Sequence, residues 1–396
     1  MSMEFYDLLI VGAGMSAMAA AKSFRSADTV STILMVSNQP DIPSRKPPLS
    51  KQLWKGLPMS DIFYNPAKFK IDFRPGVDIE RVDFKKRIAY FANDRKVNFK
   101  SILLATGLKP VELPGTSSKA VYFNTLSDFR RLKRQVKSGQ SAVVMGGGLL
   151  SVELASAMQD VGLKTTLAIS GQWPLHQYVP KQLGLQIFKR MKTDGVEVIR
   201  QKRVASINES VELDDGTQLS GDHYLPLIGQ VPSLDFLDLD EDERRHGLEV
   251  DKYLRVQGVD GIYATGDIIR MSGYRESFRH EENAILSGTV AGKNLAGGKD
   301  AYSPSMFLYS EFFGLRLESI GMGRADQLKL AAFEWLDSEA KGIALLANQN
   351  RLYRITLINQ SFKPEGIGNL TSSLIGKPIR IDADELMGTI VRKYVQ

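Results

Sequence analysis

Two short runs carry the spacing of a phosphate-binding turn: Gly12-Ala13-Gly14-Met15-Ser16-Ala17 and, 134 positions later, Gly146-Gly147-Gly148-Leu149-Leu150-Ser151. In such a run the first glycine permits a tight turn, the second lets backbone approach a pyrophosphate, and the third small residue lets a helix pack closely on its strand. The anion then rests on the helix N-terminus, where unpaired N–H groups and the helix dipole favour negative charge. Ser151 stands where glycine or alanine is usual, and serine is also small. One such run is weak evidence for a nucleotide. Two in one chain, each between an apolar strand and a helix, point to two dinucleotide sites, against the alternative of two βα turns that bind nothing.

The elements that must hold these turns are legible around them. Tyr6 to Val11 reads as a strand and the Ala-rich stretch to about Arg25 as a helix. Ala142 to Met145 reads as the second strand, followed by a helix carrying Val152, Leu154, Ala155 and Met158. Leu103-Leu104-Ala105-Thr106-Gly107 and Gly261-Ile262-Tyr263-Ala264-Thr265-Gly266-Asp267 are two further apolar strands that end in small-residue turns. Asp267 is placed to bond a hydroxyl of a bound nucleotide. Asp214 to Thr217, between Val211 and Leu219, reads as a hairpin turn, and Ile343 to Ala347 with Leu352 to Leu357 as paired strands.

Composition narrows the chemistry. A chain of 396 residues with 43% apolar content buries two or three cores. It has no cysteine, which excludes a disulfide framework, a thiolate metal site, a protein-ligated Fe–S cluster and a redox dithiol. Any redox chemistry must reside in a bound cofactor. The 4 histidines show no paired ligand spacing, so no metal site is expected. The net charge of +6 is spread over interleaved acids and bases, so no nucleic-acid binding is expected; the excess fits a solvated surface or the steering of an anionic partner. No leader and no membrane span are visible, and a cytoplasmic protein is expected, although a chain trimmed of an organellar leader would read the same.

Lys46-Pro47-Pro48-Leu49-Ser50-Lys51 lies between the first turn and the Ala105 strand end. With the four turns, this box resembles the FAD-dependent pyridine-nucleotide reductases, the family of ferredoxin and rubredoxin reductases and apoptosis-inducing factor. Gln52-Leu53-Trp54, Pro304-Ser305-Met306-Phe307 and Glu318-Ser319-Ile320-Gly321 resemble the apoptosis-inducing factor branch. The resemblance implies an α/β fold with two Rossmann-like units. A discontinuous FAD-binding domain would occupy 1–125 and 230–301, an inserted NAD(P)-binding domain 126–229, and a C-terminal α+β domain 302–396. It places Lys51 beside the flavin, paired with Glu153, as the catalytic residues; the alternative is a surface lysine and a first-turn glutamate favoured by the helix dipole. It puts Ile79 near the adenine, Gly229 in the nicotinamide cleft, and His280 near flavin and nicotinamide, although a single histidine taken alone is as often a satisfied core or surface residue.

The chain also departs from that pattern. Asn38 and Gln39 stand where an acid usually bonds the adenosine ribose of FAD. Lys46, beside Arg45, replaces one flavin-pyrophosphate arginine, and Asn124 replaces another. Leu308 and Leu149 replace aromatics near the flavin and over the nicotinamide. Ala168-Ile169-Ser170-Gly171-Gln172 offers neither the acid that selects NADH nor the arginine that selects NADPH; only the resemblance favours NADH. The expected cofactors are FAD and NADH or NADPH, the expected activity hydride transfer to FAD and onward to a ferredoxin-like protein or a quinone. A redox-sensing protein that changes conformation or dimerises is the alternative from another class, and a flavin-free scaffold a third.

Overall fold

A computed structural model of the chain describes residues 3–92, 94–115, 117–256, 259, 261–274, 277–337 and 341–396. Strands and helices are numbered along the chain. The first sheet holds β1 (Glu4–Val11), β2 (Ile33–Ser37), β3 (Ile71–Pro75), β4 (Ile79–Asp83), β5 (Ile88–Phe91) and β6 (Lys96–Leu104) in the order β3-β2-β1-β6-β5-β4. β3, β2, β1 and β6 are parallel, while β4 and β5 form an antiparallel meander on the edge. Leu8 to Val11, Ile33 to Val36 and Ile102 to Leu104 are apolar runs without alternation, because each strand is covered on both faces. β6 pairs along its first half with β5 and along its second with parallel β17 (Ile262–Ala264), so the chain leaves this sheet and returns to it. Helices α1 (Met15–Ala27) and α6 (Glu281–Leu295) pack against one another beside it.

The excursion between β6 and β17 builds the second unit. It crosses through the antiparallel ribbon of β7 (Leu108–Pro110) and β15 (Gln230–Pro232). Helix α2 (Leu126–Gln135) opens on a capping box in which Thr125 and Asp128 satisfy each other's backbone N–H groups. A parallel sheet follows, ordered β10-β9-β8-β14, from β8 (Ser141–Met145), β9 (Lys164–Ile169), β10 (Glu197–Arg200) and β14 (His223–Pro226). Helices α3 (Leu149–Val161) and α4 (Lys181–Thr193) flank it. The expected hairpin at Asp214 to Thr217 joins β12 (Val211–Leu213) to β13 (Gln218–Leu219), with β11 (Val204–Ile207) on the other side of β12. Helix α5 (Glu241–His246) precedes the short parallel pair β16 (Leu248–Val250) and β18 (Ile269–Met271).

The third unit is one antiparallel sheet, β19-β20-β23-β22-β21: β19 (Phe307–Phe312), β20 (Leu315–Gly321), β21 (Lys329–Asp337), β22 (Lys341–Asn348) and β23 (Arg351–Ile358). The strands expected around Ile343 and Leu352 pair as β22 and β23. Helices α7 (Pro364–Ser373) and α8 (Ala383–Tyr394) cover the sheet, with Ile390 of α8 in one cluster with Ile343, Leu345, Ile355 and Leu357. One core spans all three units: Leu49, Trp54 and Ile62 pack with α3, the β8–β9 strands, Phe312, Phe313 and Leu317. This shared core fixes the segment that carries Lys51.

Candidate functional site

Backbone geometry at the first turn is one that only glycine accepts. Gly12 has φ +107°, and a Cβ there would stand 2.2 Å from the Ala105 carbonyl oxygen, so β1 and the end of β6 meet backbone to backbone. Helix α1 then starts at Gly14 with no side-chain cap and no acid in its first turn, leaving its N–H groups available to an anion. A cavity of about 660 Å³ opens on that helix end. Its walls include Gly12, Ala13, Gly14, Met15 and Ser16 from the turn, Asn38 and Gln39 after β2, and Ile79 at the start of β4. Ala105, Thr106 and Gly107, Lys46, Asn124, Gly266, Asp267 and His280 complete it, so most of the first-site residues named from sequence converge on one space. Four named residues lie off its wall: Lys51, whose side chain is tied to Glu153 instead, and three others. Ala17 is in the core beneath the turn, which is the packing role of a third small residue. Arg45 pairs with Glu281 of the wall, 3.4 Å away. Leu308 sits on the edge strand β19 and is not part of the cavity lining.

The cavity presents free polar atoms. Thr106 Oγ1, Asp267 Oδ1 and His280 Nδ1 are buried and have no hydrogen-bond partner among the described residues. Buried polar groups are ordinarily satisfied, so three unsatisfied ones around one concave space mark where a polar ligand belongs. Burial lifts the Asp267 carboxyl above its usual range against the opposing pull of Lys46 and Arg279. Desolvation by the surrounding wall lowers the Lys46 ammonium, with Asp267 and Asp128 resisting, although the residue as a whole stays exposed to solvent. Burial likewise depresses His280. The two departures Lys46 and Asn124 touch: Lys46 Nζ donates to Asn124 Oδ1 at 3.3 Å, and Gln230 donates to the same oxygen at 3.1 Å. An uncapped helix end, a lysine and unsatisfied polar atoms around one cavity fit the pyrophosphate and hydroxyls of FAD.

The second turn repeats the geometry. Gly146 has φ +123°, and a Cβ there would lie 2.2 Å from the Leu227 carbonyl oxygen. Helix α3 begins at Gly148, again with no side-chain cap and no first-turn acid. The Gly147 carbonyl accepts from Leu175 N–H at 3.1 Å, and Leu149 and Leu150 are half-buried beside it. Ser151 is buried with its hydroxyl donating to Leu227 O at 3.4 Å. Gly229, also at positive φ, leads into β15 and accepts from Val111 N–H.

Between the turns stands an ion pair. Lys51 Nζ lies 2.7 Å from Glu153 Oε1, with side chains only 11% and 7% exposed. Glu153 is in the second turn of α3, not the first, so the helix dipole alone does not explain it. Its carboxylate also accepts from Ser50 Oγ at 2.5 Å and Ser310 Oγ at 2.5 Å. Ser50 and Lys51 come from the Pro47–Ser50 turn of the first unit, Glu153 from the second and Ser310 from β19 of the third. Sequence reasoning missed Ser310 and also Arg279, whose guanidinium donates to Gln230 O and whose charge acts on Asp267. Neither sits in a motif, and each is brought in by chain folding from far along the sequence.

The model of the pyridine nucleotide-disulphide oxidoreductase family matches residues 6–288. The chain belongs to this family. Membership makes it a flavoprotein oxidoreductase that uses FAD and NAD(P)H. With no cysteine, none of its 396 residues supplies the thiols in the family's name. The Drosophila melanogaster protein named as an apoptosis-inducing factor 1 is 26% identical over 80% of this chain and 50% of its own length. This chain therefore spans about half of that relative. A ferredoxin–NAD(P)(+) reductase of Sphingomonas is 25% identical over 80% of this chain and 81% of its own. A rubredoxin–NAD(+) reductase of Pseudomonas putida is 25% identical over 91% and 98%. Among solved structures, putidaredoxin reductase in its covalent complex with putidaredoxin shares the fold with a TM-score of 0.82 at 20% identity, over 96% of this chain and 95% of that one. NADH:rubredoxin oxidoreductase from Clostridium acetobutylicum does so at 0.78 and 20%, over 98% and 100%. No helix among the described residues is long and apolar enough to cross a membrane.

Proposed function

We propose that this chain oxidises NAD(P)H in the cleft between its two glycine turns and delivers the electrons to a small redox protein of the ferredoxin or rubredoxin kind. The observation that carries this reading is the Lys51–Glu153 pair, which ties the proline-rich segment of the first unit to the helix that follows the second turn. Support for the acceptor comes from the reductases among the relatives, whose names give ferredoxin and rubredoxin as partners. The proposed domains are an FAD unit at 1–125 and 230–301, an NAD(P) unit at 126–229 and a C-terminal unit at 302–396.

FAD bound in the cavity supplies a two-electron acceptor for the nicotinamide hydride that can return electrons one at a time. The protein's own part is position and charge. The α1 N-terminus and Lys46 would hold the FAD pyrophosphate, and Thr106 and Asp267 would bond ribityl or phosphate-side hydroxyls. Asn38 would meet the adenosine ribose as a neutral partner. The α3 N-terminus would take the NAD(P)H pyrophosphate. Lys51 would set its ammonium beside the flavin, and Glu153, fixed by Ser50 and Ser310, would hold that group in one place. A preoriented charge of this kind needs no reorganisation when the electron distribution changes.

Anaerobic addition of NADH or NADPH to FAD-loaded protein should bleach the visible flavin absorbance, and a reduced ferredoxin or rubredoxin should accumulate when one is supplied. Failure of both nucleotides to bleach the flavin would sink the proposal. A second reading, a redox sensor with slow turnover, is favoured by the relative named as an apoptosis-inducing factor. Negligible turnover with a large mass change on NADH addition would select it.

A further inference from the structure

We infer that Arg200 selects the phosphorylated coenzyme, so that the physiological donor is NADPH; this rests on the NAD(P)H site proposed above. In a parallel dinucleotide fold the adenosine ribose lies at the C-terminal end of the second strand, where an acid binds the free 2′-hydroxyl and an arginine accommodates the 2′-phosphate. The second strand here is β9, and the residues after it, Ser170, Gly171 and Gln172, include no acid. The missing cation arrives from the next strand. Arg200 is the last residue of β10, in parallel register with Ile169, the last residue of β9. Its guanidinium donates to the Gln172 carbonyl at 3.1 Å and lies over the Phe188 ring of α4 with its carbon 4.5 Å from the centroid.

Three features make this a prepared cation. The group is fixed on one edge by a carbonyl and on one face by an aromatic ring, so little side-chain freedom is lost when an anion binds. The side chain is exposed, which leaves its remaining N–H donors open to solvent on the ligand side of the sheet. The Gly171 carbonyl is held by Gln201 N–H at 3.1 Å and the Ile169 carbonyl by Lys202 N–H at 3.1 Å, so the loop beneath is pinned. The nearby acid Asp215 is engaged by Lys202 Nζ at 2.6 Å. Lys192 Nζ lies 5.7 Å from the centroid of the same Phe188 ring and adds positive charge. A free 2′-hydroxyl would find no carboxylate in the loop after β9, and the nearby Asp215 is taken by Lys202, whereas a 2′-phosphate would find a planar, bidentate donor.

Calorimetric titration of the FAD-loaded protein with adenosine 2′,5′-bisphosphate and with 5′-AMP tests the inference without turnover. The bisphosphate should bind about tenfold or more tightly, the worth of one charge-assisted hydrogen bond. Arg200→Gln should abolish that preference and leave 5′-AMP affinity unchanged. Ser170→Glu, at an exposed position, should reverse it by setting a carboxylate against the phosphate. Equal affinities in the native protein, or a preference that survives Arg200→Gln, would overturn the inference. Flavin bleaching by NADH and NADPH at equal rates would also overturn it while leaving the oxidoreductase reading intact; bleaching by neither would instead remove that reading.

Discussion

The Lys51–Glu153 pair is the contact on which the proposed mechanism depends most, and a double-mutant cycle measures it. Glu153→Gln leaves an ammonium with 11% exposure and no counter-charge. Breaking a buried pair from one side costs about 3–5 kcal/mol, and the lower end applies because the glutamine carbonyl still accepts. Lys51→Met leaves the carboxylate with two hydroxyl donors at 2.5 Å, so the loss should be smaller, about 2 kcal/mol. Removing both charges together leaves no orphaned ion, and the double variant should cost about as much as one single, which puts the coupling at about 2–3 kcal/mol. Urea unfolding followed by circular dichroism, with FAD held in excess so that cofactor release does not shift the midpoint, reads these differences. In the same preparations, bleaching by NADPH should slow at least tenfold in each single variant. Additive single effects would show that the two charges do not support one another, and an unchanged bleaching rate would remove the pair from the mechanism.

Other outcomes follow from individual residues. Burial holds Asp267 above the ordinary carboxylate value, so its contribution to stability is complete below about pH 4 and is lost as pH rises through the raised value. Asp267→Asn should therefore make the flavin-free protein more stable at neutral pH and flatten that decline, while weakening FAD retention; thermal melts across the acid range that keep the native slope would contradict this. Gly12→Ala should yield colourless protein, whereas Gly146→Ala should stay yellow and lose bleaching. Each forces a Cβ to 2.2 Å from a carbonyl oxygen at positive φ, costing about 2–4 kcal/mol locally. A Gly146→Ala protein reduced at the native rate would show that the second turn holds no coenzyme. Ser310→Ala should shift the flavin midpoint potential by loosening Glu153, and Ser310→Thr should restore it; an alanine variant with the native potential would limit Ser310 to packing.

The sequence alone settled the local parts. Gly12 and Gly146 were readable because a sharp strand-to-helix turn leaves room for no Cβ, and that demand falls on a few consecutive positions. The same locality holds for the Asp214–Thr217 hairpin and for the β22–β23 pair. Absence of cysteine assigned the redox chemistry to a cofactor before any fold was considered. Tertiary structure decided what depends on distant segments meeting. It placed Ser310 on a carboxylate 157 positions away, set Lys46 against Asn124 as mutual partners, and left Thr106, Asp267 and His280 unsatisfied around one cavity. It also brought Arg200 from β10 to the loop after β9, where the sequence shows no selector. Hydrogen bonds and charges act over a few ångströms in space with no regard for separation along the chain, so groups held by different strands leave no pattern for a motif to record.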